Sequence, residues 1–254
     1  MIPPSTFIND LDAKLADARQ AVLLRIARAR ALRPDRAELA GPRLLAVSKT
    51  FPAQAVLALA QSGQMDFGEN YVQEGVQKII ACRLARPDLK LCWHFIGPLQ
   101  SNKTREVAEH FDWVHSIDRL KIAQRLDAQR PEALPALQCL IQVNISNEAS
   151  KSGVQPEEVD GIALEMLQFK RLRLRGLMAI PEATDDAAAQ AQAFAALRQC
   201  LLAANRRLEP GAALDHLSMG MSADLEAAVL EGSSWLRVGT AIFGQRQTAW
   251  DQRS

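Results

Sequence analysis

Several protein classes are excluded by what this sequence lacks. Its four cysteines, at 82, 92, 139 and 200, form no CxxC pair. That spacing argues against a zinc site, so no metal is expected, and against a disulfide framework; it suits a reducing compartment. No apolar run nears the roughly 18 residues of a membrane span, so no membrane partner is expected. The opening residues Met1-Ile2-Pro3-Pro4 lack the charged-then-apolar pattern of a secretory leader, which points to the cytoplasm. A formal net charge of +1 leaves no global field to attract nucleic acid. There is no linker, no shift in composition and no repeat, so one domain over 1–254 is expected. What remains is an ordinary globular composition, 48% hydrophobic and 23% charged, long enough to bury one large core.

Residues 6–33 carry a helical apolar stripe of Leu11, Leu15, Ala18, Val22, Ile26 and Ala29. Arginines at 25, 28, 30, 33 and 36 crowd its far end, where a solvated face complementing the negative end of the helix dipole is the expected reading. After Pro34 and Gly41-Pro42 the chain alternates. Apolar runs at 44–48, 65–67, 91–96, 112–115, 138–144, 172–177, 214–217 and 235–238 read as strands. Helical patterns at 52–62, 70–82, 102–110, 118–130, 155–168, 187–206 and 222–231 separate them, and 241–246 starts a last short helix. Alternating βα units imply a parallel sheet. Eight units predict an α/β fold, a single (β/α)8 TIM-type barrel over 44–246 with an extra N-terminal helix. A doubly wound open sheet is the alternative.

In a barrel, chemistry gathers at the carboxyl ends of the strands. Lys49 ends the first run and is followed by Thr50-Phe51-Pro52. An amine there needs an ion pair, or it has a lowered pKa and serves as a nucleophile that forms a Schiff base. Barrel loops after strands 7 and 8 often grip phosphate. Here they carry Ser218 and Gly220, then Gly239 and Thr240, whose small size and hydroxyls suit an anion. Ordinary capping, with Ser222 as N-cap, is the competing reading. Asp224 and Glu226 already complement the dipole of the helix after Ser222, so the phosphate is expected at Ser218 and at Gly239-Thr240. Arg237 lies in an apolar strand two residues before Gly239. It needs an acceptor inside the barrel, either an acidic partner or a ligand ring nitrogen. A lysine, a phosphate cradle and an adjacent arginine form the set that pyridoxal 5′-phosphate needs. Asn70, His94 and Met178, at or near strand ends, are expected to line the pocket.

These strand ends carry a resemblance. The stretches are Leu45-Ala46-Val47-Ser48-Lys49-Thr50, Phe67-Gly68-Glu69-Asn70-Tyr71, Trp93-His94-Phe95-Ile96-Gly97-Pro98, Lys151-Ser152-Gly153, Arg175-Gly176-Leu177-Met178-Ala179, Leu217-Ser218-Met219-Gly220-Met221-Ser222 and Arg237-Val238-Gly239-Thr240. Together they resemble the pyridoxal phosphate homeostasis protein family. The resemblance implies a barrel of the alanine-racemase N-terminal-domain type, with pyridoxal 5′-phosphate held as an aldimine on Lys49. It implies phosphate contacts from Ser218, Gly239 and Thr240, with Arg237 facing the ring nitrogen. It also implies a role in intracellular vitamin B6 homeostasis and delivery, with pyridoxal-phosphate-dependent apo-enzymes as partners. Where many relatives carry a second lysine after Ser-Lys-Thr, this chain has Phe51, which puts a neighbouring ammonium in doubt but not the Schiff base. Lys151, in an Asn/Ser/Gly loop after strand 5, is the second candidate for carbonyl chemistry and is expected to be exposed.

Arginine at the ring nitrogen does not give up its proton, so the ring stays neutral and stabilises a carbanion weakly. A racemase also needs a base on each face of the substrate carbon. Lys49 is one; Tyr71, the single tyrosine, follows strand 2, while His94 and His216 read as packed core histidines. No catalytic residue is assigned. A monomeric carrier is expected, with a weak pyridoxal-phosphate-dependent amino-acid racemase as the alternative. A sugar-phosphate aldolase would pair Lys49 with an acid at a strand end. Glu69 is the nearest, but Gly68-Glu69-Asn70 reads as a turn that starts the next helix.

Overall fold

The computed structural model describes residues 4–32, 39–146 and 152–245. A long helix, α1 (Pro4–Leu32), opens the chain. Eight parallel strands follow: β1 (Arg43–Val47), β2 (Asp66–Glu69), β3 (Cys92–Phe95), β4 (Trp113–Ile117), β5 (Leu137–Gln142), β6 (Leu172–Met178), β7 (His216–Ser218) and β8 (Trp235–Val238). They close into a barrel in sequence order. The open sheet is excluded by the pairing of β1 with β8, which sets Leu45 beside Arg237 and Ala46 beside Val238. Each strand is followed by a helix: α2 (Ala53–Gln61), α3 (Val72–Ala85), α4 (Thr104–His110), α5 (Leu120–Gln129), α6 (Val159–Met166), α7 (Ala187–Asn205), α8 (Leu225–Leu230) and α9 (Thr240–Phe243).

The two-residue period of the strands sorts side chains between two cores. Leu45, Val47, Ile96, Trp113, Leu140, Met178 and Trp235 pack together inside the barrel. Leu44, Ala46, Phe67, Trp93 and Phe95 face outward and meet the helices in a second, larger core. The stripe on α1 is used as expected: Leu15, Val22, Ile26 and Ala29 are buried. They pack against α2, α8 and α9, the helices that flank β8 and β1. Arg25 is a partly exposed charge that is also paired. It grips both oxygens of Glu226 at 2.7 Å and the carbonyl of Ser222 at 3.1 Å. Arg19 donates to the carbonyls of Ser62 and Gly63 just past α2. Arg33, Arg36 and Lys151 lie outside the described residues.

Element boundaries differ from expectation where the site is built. β2 runs on through Glu69 and β7 through Ser218, while the helix expected from 222 begins at Leu225. Gly68, Glu69 and Ser218 were expected in loops; they are in the sheet and buried.

Candidate functional site

Leu45 and Val47 face the barrel interior, and Lys49 follows in the turn at the carboxyl end of β1, where it is partly buried. The peptide on each side of it is pinned. Ser48 Oγ donates to Glu69 Oε1 at 2.6 Å. Lys78 Nζ donates to the Ser48 carbonyl at 2.8 Å, to Glu69 Oε1 at 2.6 Å and to Glu74 Oε1 at 3.0 Å. The Thr50 N–H donates to Glu74 Oε1, and Thr50 itself holds a left-handed φ of 67°. A non-glycine residue keeps that conformation only where its surroundings impose it. Burial pushes the Glu69 carboxyl pKa up, opposed by Lys78 and Ser48. Glu69 is therefore not the turn residue expected from the sequence; it is half of a buried ion pair that sets the Lys49 turn. Tyr71 is 53% exposed, at the N-cap position of α3.

Across the mouth, Ser218 is already engaged by two side chains. Ser218 is fully buried, and its Oγ is engaged by Arg237 Nη1 at 2.7 Å and His115 Nδ1 at 2.8 Å. The hydroxyls at the mouth are those of Thr240 and Ser222, with Thr240 Oγ1 donating to Ser222 Oγ at 3.3 Å. Ser222 is not an N-cap, because α8 begins behind Asp224. Gly220 shapes this loop: its φ is 90°, and an added Cβ would come within 2.4 Å of the Ala228 Cβ. Gly239 opens α9, whose first N–H groups, on Thr240 and Ala241, have no partner within so short a helix. Phe243 of α9 stacks on Phe51 with ring centroids 4.9 Å apart, which ties α9 to the turn after Lys49.

Arg237 lies one layer below the mouth, beside Leu45. Burial pushes its pKa down to about 10, which still leaves it charged at neutral pH. It donates to Ser218 Oγ and to the Ala179 carbonyl at 2.9 Å. Among the described residues no carboxylate comes within ion-pair reach of it, so the acidic partner allowed for from the sequence is not there. A guanidinium has five N–H donors, and those left over suit an acceptor on a ligand. Asn70 follows β2 at the mouth, and its Oδ1 is buried with no partner among the described residues.

His94 and Met178, expected to line the pocket, lie buried inside the barrel. His94 is fully buried, stacked on Trp113 with centroids 5.5 Å apart and edge-on to Trp235 at 4.6 Å. Its Nδ1 faces His115 Nε2 at 3.0 Å, and its Nε2 lies 3.4 Å from both Asp66 Oδ1 and Cys92 Sγ. Asp66, Cys92 and His94 hold three metal-ligand atom types within 4.8 Å, but hydrogen bonds among them and an Arg43–Asp66 ion pair at 3.0 Å account for these contacts. Met178 is fully buried in the inner cluster. His216 is a packed core histidine, 2.6 Å from Asp215. Sequence reasoning missed Lys78, His115 and Ser222. His115 could have been found from its two-residue spacing from Trp113 along β4, and Lys78 from its four-residue spacing from Glu74 on α3.

The family model described as alanine racemase, N-terminal domain, matches residues 24–247. The pyridoxal phosphate homeostasis protein of Pseudomonas aeruginosa is 60% identical over 203 residues, covering 80% of this chain and 84% of that protein. The structure of PipY from Synechococcus elongatus PCC7942, with PLP bound, is 36% identical at a TM-score of 0.73, covering 91% of this chain and all of that one. Alanine racemase from Corynebacterium glutamicum shares the fold, with a TM-score of 0.64 at 16% identity; the match takes in 91% of this chain and 62% of the racemase. On the extent and identity of these matches, the chain belongs to the pyridoxal phosphate homeostasis protein family, built on the alanine racemase N-terminal domain.

Proposed function

We propose that this protein binds pyridoxal 5′-phosphate at the barrel mouth and acts in the homeostasis and delivery of that cofactor. The observation that carries the reading is Arg237, a buried guanidinium without a carboxylate among the described residues, set between the Lys49 strand and the Ser222–Thr240 hydroxyls. The residues present fit the group. Lys49 supplies an amine for the aldehyde carbon, forming a carbon–nitrogen link with loss of water. Ser222, Thr240 and the first N–H groups of α9 supply donors for the phosphate. Arg237 supplies a donor for the ring nitrogen. When bound, the cofactor brings an electrophilic ring, and an arginine partner leaves that ring a weak electron sink. Phosphate contact moves from Ser218 to Ser222 in this reading, while Gly239 and Thr240 keep theirs. His94 leaves the pocket lining.

The same arrangement supports holding over turnover. Tyr71 is 53% exposed to solvent, and His94 and His216 are buried inside the barrel, so none of the second bases considered from the sequence is enclosed with Lys49 in a sheltered site. We read the chain as one domain, a cytoplasmic monomer that passes its cofactor to pyridoxal-phosphate-dependent apo-enzymes. The test is the visible absorbance of the purified protein before and after borohydride, with mapping of the reduced peptide. A band that bleaches, with the adduct on Lys49 and its loss in Lys49→Ala, is expected. A protein that takes up no added pyridoxal phosphate would sink the reading. Robust racemisation of an amino acid by the loaded protein would favour the enzyme over the carrier.

A further inference from the structure

A continuous line of buried polar groups runs down the barrel from the proposed cofactor site. Arg237 Nη1 meets Ser218 Oγ at 2.7 Å, Ser218 Oγ meets His115 Nδ1 at 2.8 Å, His115 Nε2 meets His94 Nδ1 at 3.0 Å, and His94 Nε2 meets Asp66 Oδ1 at 3.4 Å. Ser218, His115 and His94 are fully buried. The two ends decide the direction. A guanidinium has only donors, and an ionised carboxylate has only acceptors. With Asp66 accepting at one end and Arg237 donating at the other, the serine hydroxyl proton is directed to His115 Nδ1. His115 must then carry its proton on Nε2 and donate to His94 Nδ1. His94 must carry its proton on Nε2 and donate to Asp66. Along the line each donor then meets an acceptor and both imidazoles share one tautomer; Cys92 Sγ is a second neighbour of His94 Nε2, at the same 3.4 Å as Asp66. At the far end burial pushes the Asp66 pKa up, but the contact with His94, and after it Arg43 at 3.0 Å, hold it below the ordinary carboxylate value. Burial keeps both rings below their ordinary pKa and therefore neutral at pH 7.

We infer that Asp66, His94, His115 and Ser218 are positioning residues that act through Arg237 on the ring nitrogen of bound pyridoxal phosphate. The line fixes the guanidinium from below, so that its remaining N–H groups are aimed at the mouth. Two neutral rings beneath it add no second positive charge, so Arg237 alone sets the field at the ring. A barrel interior of this size is ordinarily filled with apolar side chains. A fully satisfied polar line through it specifies one arrangement. This inference rests on the cofactor reading above and names what tunes that site from inside the fold.

The experiment has two parts. Nitrogen-15 NMR of histidine-labelled apoprotein at pH 7 reads the tautomers of the wild type directly. His94 and His115 are expected neutral, with the proton on Nε2 in both; a proton on Nδ1 of His115 reverses the line and overturns the inference. The second part loads the wild type, His115→Asn, His115→Phe and Asp66→Asn with pyridoxal phosphate. It records the visible band and the dissociation constant. Asn keeps an acceptor for Ser218 but breaks the link to His94, so its band should shift less than that of Phe, which removes both contacts and should weaken binding about tenfold. Asp66→Asn, four hydrogen bonds from Arg237, should also shift the band. Wild-type spectra and affinity in both His115→Phe and Asp66→Asn would overturn the inference alone. Absence of uptake by the wild type would instead remove the reading it rests on.

Discussion

At the scale of single residues, the lysine that chemistry needs is placed by one that chemistry does not touch. Lys78 joins the carbonyl before Lys49 to Glu69 and Glu74, and its side chain is 4% exposed against 0% for Glu69. Removing one partner of such a buried pair leaves an uncompensated charge, which costs about 3–5 kcal/mol. Lys78→Met should therefore lower stability by that amount in urea unfolding, and Lys78→Met with Glu69→Gln should recover part of it. A cost near 1 kcal/mol for the single variant would show that water reaches the pair. Arg25→Ala makes the contrast, since its partnership with Glu226 is half exposed and worth at most about 1 kcal/mol. At the mouth, Ser222→Ala should weaken pyridoxal phosphate binding about tenfold, the worth of one hydrogen bond to a charged group, with the melting temperature of the apoprotein unchanged. Unaltered affinity would return the phosphate to Gly239 and Thr240 alone. Phe51 is explained by its stack on Phe243: the position carries packing that closes the mouth on the β8 side, in place of a second ammonium.

At the scale of elements, α1 shows how a stripe becomes a seam. Val22 is 2% exposed and Leu24, two residues on, is 48% exposed. Val22→Asp buries an unpaired charge between α1 and the helices flanking β8 and β1, and should cost more than about 3 kcal/mol. Leu24→Asp should stay within about 0.5 kcal/mol. Equal losses from the two would mean that α1 does not pack as described. The same element scale separates what was legible from what was not. The barrel was readable because its strands, buried on both faces, are short apolar runs, and because their spacing leaves room for a helix each time. The strand ends were not, because a polar residue at the end of an apolar run looks the same whether it enters a loop or continues the strand. Ser218 and Glu69 are such residues. Two-residue spacing from His216 places Ser218 inside the barrel, but that argument needs the strand to extend one residue beyond its apolar run. Lys49 and Arg237 were legible for the opposite reason: a charge at or within an apolar strand has few explanations.

At the scale of the whole molecule, the buried polar line makes the barrel sensitive to acid. His94, His115 and His216 all have pKa values pushed below the ordinary histidine value, in each case first by burial. The charged and titratable groups around them are Arg43 on β1, Asp66 on β2, Cys92 on β3, Asp112 before β4, Arg175 on β6, Asp215 before β7 and Arg237 on β8; the two aspartates in contact with the rings oppose the shift without reversing it. The sign follows from proton counting. Below about pH 6.5 the unfolded chain protonates these rings while the folded chain does not, so the unfolded state binds more protons and stability decreases as the pH is lowered. Each ring contributes a slope of about 1.4 kcal/mol per pH unit until its folded value is reached, so three together give about 4 at the steepest. Asp66 and Asp215 act in a lower window. Their folded values are depressed, so their stabilisation is present above the ordinary carboxylate range and is lost as pH falls through it. Urea unfolding of the apoprotein from pH 8 to pH 4 should thus show a plateau above about pH 7 and a steep decline beginning near 6.5. His115→Asn should flatten that decline by about one proton's worth, because an amide in that place takes up no charge. A profile level down to pH 5 would mean that the folded barrel accepts protons on its rings. Neutral histidines could not then be what holds Arg237 in place.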